Sequence, residues 1–374
     1  MDFDLSDDQR MLKDSVDRLI ADTYGFEQRR QTMASAEGWS RATWAQFADL
    51  GLLGVNFEEE FGGFGGGPVE TMLVAEAFGR GLVVEPYFAT VVLGGGLLRH
   101  AGSAEAQAAY LPRIASGELL FAFAHHERAA RYNLSHVGTT ATKTGHGWVI
   151  NGEKSLVLHG DSADKVIVSA RVSGGLTDTA GIGLFVVRAE HMTRRGYPTQ
   201  DGLRAAEISF VDAPAIAVLN LDGFAAISRT IDEAIAFTCA EAVGAMGEMH
   251  ATTIDYLKTR KQFGRAIGEF QVLQHRAVDM LVELELARSM AMYATMMSAE
   301  PDAVERGKAV SAAKVQVGNS SKKLAEEAIQ LHGGIAMTME YKVGHYFKRV
   351  TMIDKQFGDV ETHTARLVAA GTAL

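Results

Sequence analysis

The sequence predicts an α+β fold in three parts: an N-terminal helical domain at 1–120, a middle β-barrel domain at 121–222 and a C-terminal four-helix bundle at 223–374. The prediction depends on a change of hydrophobic period along the chain. Apolar residues recur at helical intervals in the first part, alternate over short runs in the second, and return to helical spacing in the third. Because breakers are rare in the third part, its helices are expected to be long and to pack as a bundle.

In the first part, Ser6 and Gln9 have the spacing of a capping box and predict a helix start. Helices are also predicted at 39–51 and 69–79, and a short one at 104–111 that stops at Pro112. The glycine-rich run at 61–68 lacks the Gly-Lys-Ser/Thr ending of a phosphate loop, and no strand precedes it. It is therefore interpreted as an ordinary connection between helices.

In the second part, the sequence from Trp148 to Lys154 predicts a hairpin that turns at Asn151-Gly152. Three short strands are predicted at 166–170, 183–187 and 207–211, separated by Gly, Asp and Pro. Together these elements indicate a small all-β domain between two helical ones.

Composition excludes several classes of function. The formal net charge of −10 argues against a nucleic-acid partner. The single cysteine, Cys239, excludes an internal disulfide and a cysteine-based metal cluster, and its apolar helical neighbours predict a buried thiol. The first residues lack the basic and apolar regions of a signal peptide, and glycines, Glu85 and Pro86 interrupt the most apolar run, at 81–98. We therefore expect a cytoplasmic protein without a membrane span.

Two blocks in the third part carry chemistry suited to a phosphate group. The first contains Arg260, Gln262, Phe263 and Gly264, followed by Phe270-Gln271, and the second contains Gln330, Gly333 and Gly334. An arginine fork and amide groups bind phosphate oxygens, and paired glycines let backbone approach them closely. The first block has a simpler interpretation as well, since cations followed by glycine are typical of any helix C-terminus.

The order and spacing of these blocks resemble the RxQFG…FQ and QxxGG signatures of the acyl-CoA dehydrogenase family, and the resemblance extends over nearly the whole chain. It implies FAD as cofactor and α,β-dehydrogenation of an acyl-CoA thioester. It further implies that Arg260, Gln262, Phe263, Gln271, Gln330, Gly333 and Gly334 reach across a subunit interface to the ADP half of an FAD held mainly by the neighbour.

The resemblance also locates the catalytic base, and neither position holds a carboxylate. Phe357, within Gln356-Phe-Gly-Asp359, occupies the usual glutamate position. A minority of the family carries the glutamate 26 residues before the RxQFG arginine, which is Ala234 here. Glu233 is one residue earlier, about 100° around the helix, and is interpreted as a solvated first-turn acid in preference to a base.

The family's flavin-facing β segments are altered too. The Thr-Glu-Pro-Gly-Ala-Gly-Ser-Asp segment is replaced by the residues from His125 to Arg131, and the Trp-Ile-Thr strand is replaced by Leu156-Val157-Leu158. An apolar side chain thus stands where a hydroxyl meets the flavin. His125, His126 and Glu127 do not predict a metal site, because adjacent strand residues point to opposite faces.

Three hypotheses follow from this pattern. The first is a subunit of a heteromeric acyl-CoA dehydrogenase, resembling the small subunit of the pimeloyl-CoA type, whose larger homologous partner supplies the glutamate and the flavin-ring pocket. Electron-transfer flavoprotein is the acceptor that the resemblance implies. The second is a stand-alone homotetrameric dehydrogenase with Glu233 or Asp359 as base. The third is a non-catalytic module that binds acyl-CoA or flavin.

Overall fold

The computed structural model describes residues 4–371, which fold into helices, then strands, then helices. The N-terminal helices are α1 (Asp7–Thr23), α2 (Phe26–Ala34), α3 (Arg41–Asp49), α4 (Pro68–Gly81), a π-helix (Phe88–Gly95), α5 (Gly96–Ala101) and α6 (Ala104–Ala115). The strands are β1 (Phe121–Ala124), β2 (Thr140–Thr144), β3 (Gly147–Leu158), β4 (Lys165–Arg171), β5 (Ile182–Arg188), β6 (Thr193–Pro198), β7 (Arg204–Pro214) and β8 (Ala217–Asn220). The C-terminal elements are α7 (Phe224–Thr259), the hairpin strands β9 (Lys261–Gln262) and β10 (Arg265–Ala266), α8 (Gln271–Met297), α9 (Ala303–His332), α10 (Lys342–Lys355) and α11 (Val360–Ala369).

By internal contacts the described chain divides into two compact units. One contains residues 4–30, 68–83 and 235–371, and the other contains residues 31–67 and 84–234. The division falls inside α2 and α7. Each unit has its own buried apolar core, so the predicted helical, sheet and helical regions do not correspond one to one with units of contact.

The N-terminal helices match the predicted starts but not every predicted end. The capping box of Ser6 and Gln9 is present at the start of α1, as predicted. The predicted stop at Pro112 is wrong, because α6 continues to Ala115. Proline lacks an N–H, but its carbonyl can still accept a hydrogen bond. The Ser116 N–H donates to the Pro112 carbonyl over 3.0 Å. One further turn is therefore stable.

The β region is a single eight-stranded sheet. Its strand order is β6-β7-β3-β2-β4-β5-β8, with β1 paired in parallel to β4. All three predicted strands are confirmed, as β4, β5 and β7. The predicted barrel is not: within residues 4–371 the strand order has two ends, β6 and β8, and is not closed. Its inward side chains, including Ile150, Phe185 and Phe210, form the core of this region.

The predicted turn at Asn151-Gly152 is wrong. Both residues lie inside β3, and the hairpin turns instead at Gly145-His146, between β2 and β3. Gly152 has φ of +145° at a β-bulge against β7, and a Cβ there would lie 2.7 Å from the Thr139 Cα. The Asn-Gly pair therefore serves a bulge with close backbone packing, which has the same residue preference as a tight turn.

The C-terminal region contains five described helices, three long and two short, where four were predicted. Helix α9 packs against α8, α10 and α11. Buried Arg349 of α10 donates two bonds to Glu241 of α7, of 2.6 and 2.7 Å, and so joins two helices of the bundle. Removal of either partner would destabilise the fold, because it would leave an uncompensated buried charge.

The helices bear on two features of the sequence, the single cysteine and the apolar runs. Cys239 is buried on α7, as predicted, and burial raises the pKa of its thiol to about 11. Among residues 4–371, no helix combines the length and apolar character needed to cross a membrane.

Candidate functional site

The first predicted block forms a hairpin, not a helix end. Helix α7 ends at Thr259, and β9 pairs with β10 so that Gln262 lies opposite Arg265. The interpretation of Gly264 as a helix cap is therefore wrong, since Gly264 lies at the hairpin turn, five residues beyond the helix. Arg260 is exposed at the base of the hairpin, and its guanidinium has no protein partner within residues 4–371.

The tip of this hairpin is strained and exposed. Phe263 and Gly264 have φ of +54° and +79°, the left-handed pair that a two-residue turn requires. Phenylalanine is a costly choice at such a position, by about 1–3 kcal/mol. Its side chain is also 89% exposed, although it touches Phe270 edge-on at 6.1 Å. An exposed aromatic ring held in a strained turn is typical of a contact surface for another molecule.

The second block follows the end of α9. Gln330 is exposed on the last turn, and the Gly333 N–H caps the helix by donating to the Ile329 carbonyl. Gly333 has φ of +67°, and no atom lies within 4 Å of the position of a Cβ at Gly333 or Gly334. The two glycines therefore turn the chain sharply and leave an open, uncrowded backbone surface.

The structure brings both blocks to one end of the same unit. Tyr256, one turn before Arg260 on α7, has its ring centroid 4.5 Å from that of His332, the last residue of α9. Gln271, also exposed, is the first residue of α8 and follows the hairpin after a short 3-10 helix, Ile267–Glu269. The residues that carry a guanidinium, amide groups and open glycine backbone thus lie at the same end of the unit. This donor set fits the pyrophosphate and sugar of a dinucleotide such as FAD.

The loop that carries Phe357 contains no free carboxylate. Phe357 has φ of +60°, and Gly358 follows at +121°, between α10 and α11. Asp359 is the N-cap of α11 and accepts bonds from the Thr362 N–H at 3.0 Å and the Thr362 hydroxyl at 2.8 Å. Although desolvation acts against ionisation, these bonds lower the pKa of Asp359. A carboxylate stabilised in this way is a poor base.

Glu233 is neither solvated nor in the first turn of its helix. It is the tenth residue of α7, and its side chain is only 20% exposed. Its oxygens lie 2.8 Å from Arg99, 2.9 Å from His100 and 3.1 Å from Arg229. Burial raises its pKa, but the bond from His100 and the charge of Arg99 outweigh that effect and lower the pKa to about 2. Ala234 beside it is fully buried.

Glu127 of the altered β segment has a structural partner that sequence reasoning missed. The Lys154 ammonium, fully buried, donates to Glu127 at 2.8 Å, to the His125 carbonyl at 3.1 Å and to the Ser169 hydroxyl at 3.1 Å. Burial lowers the pKa of Lys154 to about 8, and Lys154 in turn helps to lower that of Glu127 to about 2. The pair is ionised at neutral pH. The sequence feature that could have revealed this ion pair is a lysine at an inward-facing position of β3.

The rest of this segment offers few groups for a cofactor. His125 is buried against Ser169, at 2.8 Å, and burial lowers its pKa to about 3, so its ring is neutral. Leu156 has φ of +51° at a second bulge of β3 and is 41% exposed, so an apolar side chain faces outward there. Within residues 4–371, no group of three or more His, Cys, Asp or Glu residues is arranged to hold a metal ion.

Family models match three stretches of the chain. The acyl-CoA dehydrogenase N-terminal domain matches residues 6–118, the middle domain residues 122–213 and the C-terminal domain residues 221–371. The chain therefore belongs to the acyl-CoA dehydrogenase family, and its fold is that of the family, with helical, β-sheet and helical regions in order.

Individual relatives agree with this assignment. The acyl-CoA dehydrogenase FadE12 of Mycobacterium tuberculosis is 31% identical over 352 residues, covering 90% of this chain and 89% of the relative. IpdE2 of the same organism, also named an acyl-CoA dehydrogenase, is 30% identical and covers 92% and 91%. A solved structure of a variant of the Tcur3481–Tcur3483 steroid ACAD superimposes with a TM-score of 0.87 at 26% identity, covering 97% of each chain.

Proposed function

We propose that this chain is the subunit of a heteromeric FAD-dependent acyl-CoA dehydrogenase that does not supply the catalytic base. One observation carries the proposal. The two positions at which a base is expected hold Phe357 and Ala234, and the nearest acids, Glu233 and Asp359, are kept ionised by the groups around them. Removal of a weakly acidic α-proton requires a carboxylate whose pKa is raised, which is the opposite of what both acids have.

The proposal gives each set of residues a separate role. Bound FAD would supply hydride chemistry at the β-carbon, which side chains cannot provide. Arg260, Gln262 and Gln330 hold the ADP half of the cofactor, and the open backbone at Gly333 and Gly334 lets it approach closely. A homologous subunit contributes the flavin-ring pocket and the glutamate that takes the α-proton of the acyl-CoA thioester.

Exposed apolar side chains around the hairpin support a protein partner on this surface. Phe263 is 89% exposed, Met337 76% and Val272 64%. They adjoin Arg260, Gly333 and Gln271, the residues proposed to reach the cofactor. Apolar groups placed next to a charged binding surface indicate an interface that excludes water from it. We infer that the homologous base-carrying subunit covers them.

The name of one similar structure, the Tcur3481–Tcur3483 steroid ACAD, pairs two proteins. This supports a two-subunit arrangement and makes a bulky acyl-CoA thioester a reasonable first substrate to test. Electron-transfer flavoprotein is the expected acceptor of the electrons.

Purification of the chain alone and together with a homologous subunit that carries the glutamate tests the proposal. We expect little FAD in the chain alone, because the contacts to the flavin ring are replaced by Leu156 and Leu158. We expect about one FAD per heterodimer in the complex, measured by the visible spectrum, and anaerobic bleaching when acyl-CoA is added.

Other outcomes would favour the other hypotheses. A homo-oligomer loaded stoichiometrically with FAD and bleached by acyl-CoA would contradict the proposal and indicate a stand-alone enzyme. A chain that binds FAD or acyl-CoA but is never bleached, alone or with the homologous subunit, would indicate a non-catalytic binding module.

A further inference from the structure

Three aromatic rings pack against one another, in tilted contacts, where the two proposed nucleotide-binding blocks meet. The His332 ring centroid lies 4.5 Å from that of Tyr256 and 5.1 Å from that of Tyr341. The three residues come from α7, from the end of α9 and from the position just before α10. His332 is only 4% exposed. We name Tyr256, His332 and Tyr341 the aromatic triad.

The orientation of the central ring is fixed by its own helix. The His332 Nδ1 lies 2.8 Å from the Ala328 carbonyl, and because a carbonyl can only accept, Nδ1 carries the proton and donates it. The Nε2 is buried and makes no hydrogen bond within residues 4–371. Burial lowers the pKa of His332, although the backbone groups of Ala328 and Thr252 act in the opposite direction, so the neutral form is favoured. The Nδ1 edge of the ring is thus tied to α9, and its faces are available to the two tyrosines.

The triad is connected directly to the residues proposed to hold the cofactor. The Arg260 N–H donates to the Tyr256 carbonyl over 2.8 Å, so a shift of Tyr256 moves the base of the hairpin. His332 follows Gln330 by two residues and immediately precedes Gly333 and Gly334. The His332 ring is buried, so it does not itself contact a ligand. Its contribution is to set the distance between the blocks.

We infer that His332 is a positioning residue for the nucleotide site: by packing against Tyr256 and Tyr341 it holds the hairpin and the Gly333-Gly334 turn at the spacing that one pyrophosphate spans. This inference rests on the proposed function for the identity of the ligand. The coupling between the two blocks is a property of this chain and is measurable without the cofactor. Aromatic contacts of this kind stabilise beyond the area they bury.

Two substitutions distinguish the effect of the His332 ring from the effect of its hydrogen bond. His332→Asn retains a side-chain N–H that reaches the Ala328 carbonyl but removes the ring, whereas His332→Phe retains a ring and removes the donor. His250→Asn is the matched control, because His250 also bonds a carbonyl between bundle helices, that of Ala277 at 3.3 Å, but is not in the triad.

Hydrogen–deuterium exchange of the purified chain gives the first readout. We expect His332→Asn to raise exchange of the hairpin amides at 261–266 at least about fivefold, and His332→Phe to restore most of the protection. His250→Asn should leave the hairpin unchanged. A purely structural role would raise exchange only near 328–341, or uniformly with a lower melting temperature, and either of these results overturns the inference.

FAD affinity in the complex with the homologous subunit gives the second readout. We expect His332→Asn to weaken FAD binding at least about fivefold and His332→Phe to weaken it less. Arg260→Ala serves as the reference. If Arg260→Ala weakens FAD binding and His332→Asn changes neither exchange nor affinity, the inference fails and the proposed function stands. If Arg260→Ala has no effect, the hairpin is not part of the FAD site, and the inference fails as a statement about the nucleotide, whatever the exchange data show about coupling.

Discussion

Arg260 is the most direct test of the nucleotide site at the scale of a residue. Its guanidinium is exposed and has no protein partner within residues 4–371. Arg260 lies one turn beyond Tyr256, whose ring contacts His332 of the second block. We expect Arg260→Ala to weaken FAD binding in the complex, because each charge-assisted bond lost is worth about 1.5–3 kcal/mol. Arg260→Lys should recover only part of the affinity, since an ammonium cannot reproduce a planar fork. Titration of the apo-complex with FAD measures both.

Lys258→Ala is the control for this substitution. It removes the same charge two residues earlier, on the last turn of α7, without removing the fork. Equal losses of FAD affinity in Lys258→Ala and Arg260→Ala would mean that FAD binding depends only on the net charge at this end of the helix. An unchanged affinity in Arg260→Ala would mean that the hairpin is not part of the site.

Glu233 tests the proposal that the homologous subunit supplies the base. Glu233→Gln keeps the shape of the side chain and deletes its charge. We expect kcat/KM of the complex to change less than about tenfold, whereas the corresponding glutamate-to-glutamine change in the homologous subunit should lower it at least about a hundredfold. Steady-state kinetics with both variants compares them. The reverse pattern would make this chain the catalytic subunit.

The same substitution has a consequence for stability. Because the pKa of Glu233 is lowered to about 2 in the folded chain, its ion pairs contribute stability above the unfolded pKa of about 4.5. That contribution is lost as pH falls through 2. Glu233→Gln should therefore lower the free energy of unfolding at pH 7, by up to about 3 kcal/mol, with a smaller difference from the unmodified chain at acidic pH. Urea unfolding across this range measures the difference.

At the scale of an element, the bulge of β3 depends on one glycine. A Cβ at Gly152 would lie 2.7 Å from the Thr139 Cα, and its φ of +145° is one that side chains rarely adopt. We expect Gly152→Ala to lower the free energy of unfolding by about 1–3 kcal/mol. Gly145→Ala, in the turn before β3, is the control, because no atom lies within 4 Å of its Cβ position. Similar melting temperatures for the two variants would contradict the assignment of the bulge.

At the scale of the whole molecule, one buried carboxyl makes stability depend on pH. Glu85 is 4% exposed, and its Oε1 accepts a bond from the Ser40 N–H at 3.2 Å. Its Oε2 is buried and makes no hydrogen bond within residues 4–371. Burial raises its pKa to about 7, although the backbone N–H groups of Ser40, Glu85 and Val84 act in the opposite direction. Between the unfolded pKa near 4.5 and 7, the folded chain therefore binds the proton and the unfolded chain does not, so stability falls as pH rises through this window.

Glu85→Gln isolates this effect. The neutral amide removes the cost of ionising a buried group, so the variant should gain stability relative to the unmodified chain as pH rises from 5 to 8, by up to about 3 kcal/mol. The difference in urea unfolding free energy at each pH measures it, because other titrating groups cancel. Glu60→Gln, at an exposed acid, should show no such trend. A difference that is constant with pH would mean that Glu85 ionises normally.

The sequence by itself predicted the order of helical and sheet regions, the family, and the positions of the two blocks proposed to bind the nucleotide. These depend on local patterns: hydrophobic period, short motifs, and the presence or absence of a carboxylate at a given position. The lack of a base at Phe357 and Ala234 is visible in the same way, because no folding can make either side chain ionise.

Only the tertiary structure decided what the polar groups do. Asn151-Gly152 has the same local preferences in a turn and in a bulge, and contact with Thr139 selects the bulge. Glu233 is adjacent in sequence to Asp232, but its partners Arg99 and His100 are more than a hundred residues away. His332 and Lys154 acquire their roles from Tyr256 and Glu127, which the fold brings to them. A sequence pattern gives the type and position of a residue. The pKa, backbone strain and bonding partners of that residue depend on neighbours that are distant along the chain.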